Sequence, residues 1–334
     1  MNVDFTRPSL FRAMLYFLLL YILFRYRGWG VELVLPPDGG MMPLEKWMTS
    51  FFTGHPLWKE VYQLVISLFS IFSLSRILSR NMIYLERTFV PALIFPLVAW
   101  GYASSAVTPV TLTVAFLLVF TVANMINAYK REGNSSFFLH AAIALGFAPL
   151  IYAPAVVFIL LLPIGFILFR QNWRSVITAS LCYFVPLALC SYILWGMGEN
   201  FGNTTRQIVS IITAPTSETL FIFRMDVWDY ILAGVFLLLT LFGISHFFSG
   251  QTQIRRRSLR GFTIFVWILV LSCGMLALPC RSLDMLPILA VPLSAIIPAC
   301  FNRKSGWWPN LLYLLMLWSV IIYNVLQIFP NWLP

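Results

Sequence analysis

Apolar and polar positions alternate along this chain in long blocks, with eleven apolar runs separated by short polar breaks. The runs fall at 9–24, 61–78, 89–106, 109–127, 137–151, 153–169, 175–196, 228–248, 262–279, 283–300 and 308–329. A helix needs about 20 residues to cross the hydrocarbon of a bilayer, and most of the runs approach that length. The pattern predicts an all-α fold, a single polytopic transmembrane domain over 1–334 with 10–11 spanning helices. One stretch is ambiguous. In 137–169 the sequence APLIYAP places two prolines mid-run, so it reads either as two short helices or as one kinked element.

Composition points the same way. Hydrophobic residues make up 60% of the 334 positions and charged residues only 10%, with a mean hydropathy of +0.85. That leaves too little polar surface for a soluble domain, and soluble, disordered and fibrous classes are excluded. A net charge of +10 would suggest nucleic acid if it lay on one face. It lies instead in short connections at run ends, as the positive-inside rule requires, so membrane lipids and not nucleic acid are the expected contact.

With the N-terminus inside, the inner connections receive Arg7 and Arg12; Arg76, Arg80 and Arg87; Lys130 and Arg131; Arg170 and Arg174; Arg255, Arg256, Arg257 and Arg260; and Arg303 with Lys304. Two longer loops, 25–60 and 197–227, fall on the opposite side. With the adjoining Asp229 they carry eight of the twelve acids, the others being Glu32, Asp38, Glu45, Glu60, Glu199, Glu218 and Asp226. This alternation survives only if 137–169 crosses twice, and it puts the C-terminus outside. The first run is followed by Arg25 and Arg27 and not by a small-residue cleavage site, so it is expected to be retained.

Candidate chemistry is sparse. No Asp, Glu, Lys or Arg sits in the middle third of a run, as ion-coupled transport generally demands. Gly- or Pro-broken helices are not expected to recur in matching positions of two halves, and there is no Walker A loop, H-E-x-x-H or G-x-S-x-G. The five cysteines form no C-x-x-C pair and read as small apolar fillers; no metal cluster or cofactor is expected. Chemistry is therefore expected at a membrane face, and the acids select the outer one. There, MPLEKWMTSFF at 42–52 predicts a short amphipathic helix lying in the interface. LPPDGG holds Asp38 on an exposed turn, Glu32 follows Gly28, Trp29 and Gly30, and His55 closes the same loop. A second polar pair, Arg281 and Asp284, interrupts LPCRSLDMLPILAVPL at the other outer connection.

A transferase using a polyprenyl-phosphate sugar needs a carboxylate at the interface to deprotonate the acceptor, and a cation to stabilise the departing phosphate. The layout resembles the integral-membrane glycosyltransferases called GT-C. YQLVISLFSIFSLSRILSRNMIYLERTFVPALIFPLVAW resembles their second and third spans with the basic turn between, and Arg281 before LDMLPILAVPLSAIIPA resembles their late Leu-Pro-rich span. ERTFVPALIF and YAPAVVFILLLPIGFILFRQNWRSVITA resemble, more closely, an uncharacterised family of bacterial inner-membrane proteins with no assigned activity. The GT-C resemblance implies Asp38 as base with Glu32 in reserve, Arg281 on the lipid phosphate, and Asp284 and His55 in support. No metal-ligand cluster is evident in the residues, though a loop carboxylate could still recruit a divalent ion. It implies a polyprenyl-phosphate-linked sugar as donor and a periplasmic acceptor as partner. Other readings stand beside these. Arg281 with Asp284 is also a topology-setting surface ion pair, Asp38 is also an ordinary turn residue, and the whole is also a non-catalytic scaffold or a small-molecule or lipid transporter. Reporter fusions test the sidedness: residues 38 and 281 should report from outside, and residues 130 and 256 from inside.

Overall fold

The computed structural model describes residues 10–25, 41–81, 83–84, 89–101, 107–130, 136–213, 227–249, 256–276, 285–301 and 307–328. Among the described residues there are thirteen α-helices and no strand: α1 (Leu10–Arg25), α2 (Pro43–Gly54), α3 (Pro56–Arg80), α4 (Pro91–Ala99), α5 (Pro109–Lys130), α6 (Ser136–Ile151), α7 (Leu161–Phe169), α8 (Trp173–Gly196), α9 (Asn203–Thr213), α10 (Val227–Ser249), α11 (Arg256–Leu276), α12 (Leu286–Ile296) and α13 (Trp307–Ile328). A 3-10 helix, Ala153–Leu160, leads into α7, and another, Ile297–Phe301, continues α12. Five helices, α3, α5, α8, α10 and α11, are long and apolar enough to cross a membrane.

The first part of α3 and the whole of α8 turn small and polar residues inward and large apolar ones outward. The second half of α3 instead buries Ile71, Leu74, Ile77 and Leu78. On α3 the buried face carries Gln63, Ser67, Ser70 and Ser75, while Val61, Val65 and Phe69 are exposed. The serines satisfy themselves locally: Ser67 Oγ donates to the Gln63 carbonyl at 2.6 Å and Ser70 Oγ to Ile66 at 2.7 Å. On α8 the buried residues are Ala179, Tyr183, Pro186 and Ser191, whereas Ile177, Leu181, Val185, Leu189 and Ile193 face outward. In water that exterior would be an adhesive patch. Against lipid tails it costs nothing, and helix contacts fall to small and polar residues instead.

Small residues set the closest approaches. A Cβ on Gly146 of α6 would lie 2.2 Å from the Tyr183 carbonyl oxygen of α8, and one on Gly243 of α10 would lie 2.9 Å from the Ile296 carbonyl oxygen of α12. Glycine is required at both sites because backbone meets backbone there.

The stretch 137–169 doubles back. α6 ends at Ile151, Tyr152 is extended (φ −144°, ψ 105°), and Pro154 opens the 3-10 segment. A Cβ on Gly165 would meet Met125 Sδ at 3.2 Å and a Phe138 ring carbon at 3.4 Å, so α7 returns to the level at which α6 began. The prolines make a reversal, not a kink.

The run 89–106 departs further from expectation. Its helix α4 has only nine residues, about 13 Å of rise. Pro91 opens it, Pro96 removes an interior donor, and it ends at Trp100–Gly101. Every residue of α4 is buried, and α12, with Pro292 inside, is buried over all but one of its positions. The two pack on each other, and Tyr84, just before α4, donates its hydroxyl to the carbonyl of Ala295 near the end of α12, so they run antiparallel. Burial, with the Cys300 thiol adding to it, pushes the Tyr84 phenol well above its usual range, so it stays a donor. Their sequences correspond, PALIFPLVA at 91–99 and PILAVPLSA at 287–295, with Pro, Leu, Pro, Leu and Ala recurring in order and spacing. The two runs stand third and tenth of eleven, not in matching positions of two halves, and intervening apolar substitutions hide the likeness in the sequence.

Replacing Gly146 by leucine should lower stability in detergent by about 1–3 kcal/mol through overpacking. Gly234→Ala, where nothing lies within 4 Å of the added carbon, should be neutral or mildly stabilising. Thermal unfolding of the two variants checks the contrast.

Candidate functional site

The contacts sort the bundle into two ends. At one, here the Tyr84 end, Arg260 stacks 5.0 Å over the Tyr129 ring, which lies 5.8 Å from that of Phe169. Gly261 closes on Ile83 and Ile126 at the same level. At the other, the Glu60 end, polar and aromatic side chains of six helices converge.

There α1 supplies Tyr21, whose hydroxyl donates to the Glu60 carbonyl and to Glu60 Oε2, 3.3 Å each. The Tyr21 ring meets Trp100 edge-on at 5.2 Å, and Phe17 and Phe95 flank the same indole at 6.0 and 6.2 Å. One turn along α3 from Glu60, the fully buried Gln63 donates through Nε2 to the Val107 carbonyl at 2.9 Å. Tyr62 shares a 2.7 Å hydrogen bond with Thr113 on α5. From the far side of the bundle, Asn324 on α13 donates to the Gly101 carbonyl at 2.8 Å, and its neighbour Tyr323 donates to the carboxylate of Asp229 in the first turn of α10. Asp229 is buried, with 4% of its surface exposed.

Gln63 Oε1 and Trp100 Nε1 are among the buried polar atoms at this end that have no hydrogen-bond partner, as is Thr204 Oγ1 of α9. An acceptor and a donor left so cost about 1–3 kcal/mol each unless a ligand or water completes them. The Tyr84 end also has such atoms, Ser75 Oγ and Asn81 Oδ1, but no carboxylate stands among the contacts given above for that end.

A helix is present over the stretch 42–52 as α2, with Met48, Thr49 and Phe52 buried and Trp47 and Phe51 exposed. Glu45 caps it, accepting from the Met42 N–H at 3.1 Å. A second helix in the other long loop, α9, was not foreseen, because NTTRQIVSIIT looks polar until it is folded. Ile208 of α9 joins Met42, Leu150 and Ala153 in a small apolar cluster at the Tyr152 reversal, so α9 and the start of α2 rest on the Glu60 end.

Of the sequence-derived candidates, Asp38, Glu32, Arg281 and Asp284 lie outside the described residues. His55 is described. It is exposed at the corner between α2 and α3, its ring 5.3 Å edge-on from Phe51, which makes it a packing residue of that corner. Among the described residues no His, Cys, Asp and Glu group could hold a metal. Cys300 donates at 3.3 Å to the Leu239 carbonyl, in keeping with a filler. What sequence reasoning missed is Asp229 and Glu60 as partners of tyrosines. The signal was their position within a turn of a span's start, the depth at which a carboxylate must find a donor.

No family model matches this chain, and neither the curated proteins nor the solved structures give a match.

The Asp229–Tyr323 pair is testable by a double-mutant cycle. Tyr323→Phe should destabilise by about 1–3 kcal/mol, since a buried carboxylate loses a donor. Asp229→Asn in that background should recover part of the loss, a non-additivity that thermal unfolding of the four proteins would register.

Proposed function

We propose that this chain is a bacterial inner-membrane protein with eleven crossings and a cytoplasmic N-terminus, and that it transfers a sugar from a polyprenyl-phosphate carrier at its periplasmic face. The convergence of carboxylates, tyrosines and two amphipathic helices at the Glu60 end carries this reading, because the basic connections then fall at the opposite end. A lipid headgroup rests at that depth, and α2 offers exposed Trp47 and Phe51 to the interface. In this reading Asp38, with Glu32 in reserve, takes the acceptor's proton, and Arg281 neutralises the departing phosphate.

One observation favours a second reading. The recurrent Pro-broken pair α4 and α12, packed antiparallel at the centre, is the arrangement in which transporters place a midplane site. Neither α4 nor α12 itself carries a charged residue, which weighs toward the transferase.

Asp38→Asn and Arg281→Ala, expressed at normal levels, should each abolish or reduce by at least about a hundredfold the formation of a lipid-derived sugar product. Unchanged cellular glycans in both would remove the transferase reading and leave the transport or scaffold alternatives.

A further inference from the structure

The corner between α7 and α8, at the Tyr84 end, has no role in the mechanism above. α7 closes on Arg170 in the left-handed conformation (φ 50°, ψ 49°), where no other residue but glycine has positive φ among the described residues. Glycine adopts that conformation freely and a residue with a Cβ does not, yet an arginine stands here, exposed. Arg174, in the first turn of α8, is exposed as well, its guanidinium carbon 6.0 Å from the ring centroid of Trp173, which is itself 62% exposed. Arg260 of α11 is joined to the corner through Tyr129, whose ring meets that of Phe169, the residue before Arg170. The carboxylates among the described residues, Glu45, Glu60, Glu199 and Asp229, all belong to the Glu60 end, so none of them faces these arginines.

Beside the charge the surface is apolar. Ile167 of α7, one turn before Arg170, is 75% exposed. On α8, Ile177, Leu181 and Phe184 follow Arg174 along one face and are exposed too. A free phosphate ion has no use for such a stripe. A phospholipid does, because its phosphate and its chains are held one above the other in the order that the arginines and the stripe present.

We infer that the α7–α8 corner binds the headgroup of an anionic phospholipid, with Arg170 and Arg174 on its phosphate, Trp173 at the depth of its glycerol, and its chains along Ile177, Leu181 and Phe184. Arg260 adds positive charge behind them. The arginines here do more than orient the chain in the bilayer: they select which lipid stands against it. The site does not depend on the transferase reading.

The test titrates the full chain, in uncharged detergent, with phosphatidylglycerol and with phosphatidylcholine of the same chains, and counts bound lipids by native mass spectrometry. Wild type should bind its first phosphatidylglycerol at least about tenfold more tightly than its first phosphatidylcholine, as two arginines at a membrane surface allow. Arg170→Gln with Arg174→Gln should bring the two lipids to equal affinity. Arg76→Gln with Arg80→Gln, at exposed positions of α3 at the same end, should keep the preference. Arg170→Gly separates a structural role from a binding one. Glycine suits the left-handed turn, so the melting temperature should hold or rise, while the preference should fall by about fivefold. Equal wild-type affinity for the two lipids, an equal loss from the Arg76 and Arg80 pair, or an Arg170→Gly protein that binds as wild type would overturn the site. Inorganic phosphate added in excess should not displace phosphatidylglycerol; displacement would make free phosphate the ligand and overturn the lipid assignment.

Discussion

α4 and α12 lie against each other where no lipid reaches, and neither could persist elsewhere. α4 makes only two and a half turns, and the prolines at 96 and 292 each delete a backbone donor. Exposed to hydrocarbon, the carbonyls they abandon would be ruinous, so such segments must be walled in by protein. The long helices supply the wall: α3 and α1 close on α4, and α11, α10 and α5 on α12. The polar end of the molecule follows from this geometry. α4 stops early, at Trp100 and Gly101, and the space beyond it is taken by side chains from α1, α3 and α13.

The same solvent explains why small and polar side chains sit at helix contacts within a largely apolar interior. Burial of leucine gains little when the alternative is a lipid tail, so close backbone approach and short side-chain bonds hold the helices together. Gly146, Gly243 and the Tyr62–Thr113 bond between α3 and α5 are the visible result.

Much of this was legible in the sequence. Each of the eleven apolar runs contains at least one helix, because the length and hydropathy of a run nearly dictate the secondary structure of a segment that water cannot reach. The amphipathic spacing of Leu44, Trp47, Met48, Phe51 and Phe52 pointed to α2, although Trp47 and Phe51 turn outward. The double proline left a reversal or a kink open until the alternation of charge favoured the reversal. What hydropathy could not give was length within a run, since Pro91 and Gly101 shorten α4 without changing its apolar character. Partnerships were hidden as well. Tyr21 with Glu60, and Tyr323 with Asp229, join positions far apart in the chain, and no periodicity within one helix announces them. The catalytic candidates taken from loop chemistry, Asp38 and Arg281 among them, rest on residue type and sidedness.

The small cluster of Met42, Leu150, Ala153 and Ile208 has a mechanical consequence. It fastens the foot of α2 and the inner face of α9 to one proline-stiffened corner, so two segments far apart in the chain share a single anchor. Anything that lifts one of them off the corner loosens the grip of the other. α2 and α9 are therefore tied together like adjoining shutters on one post.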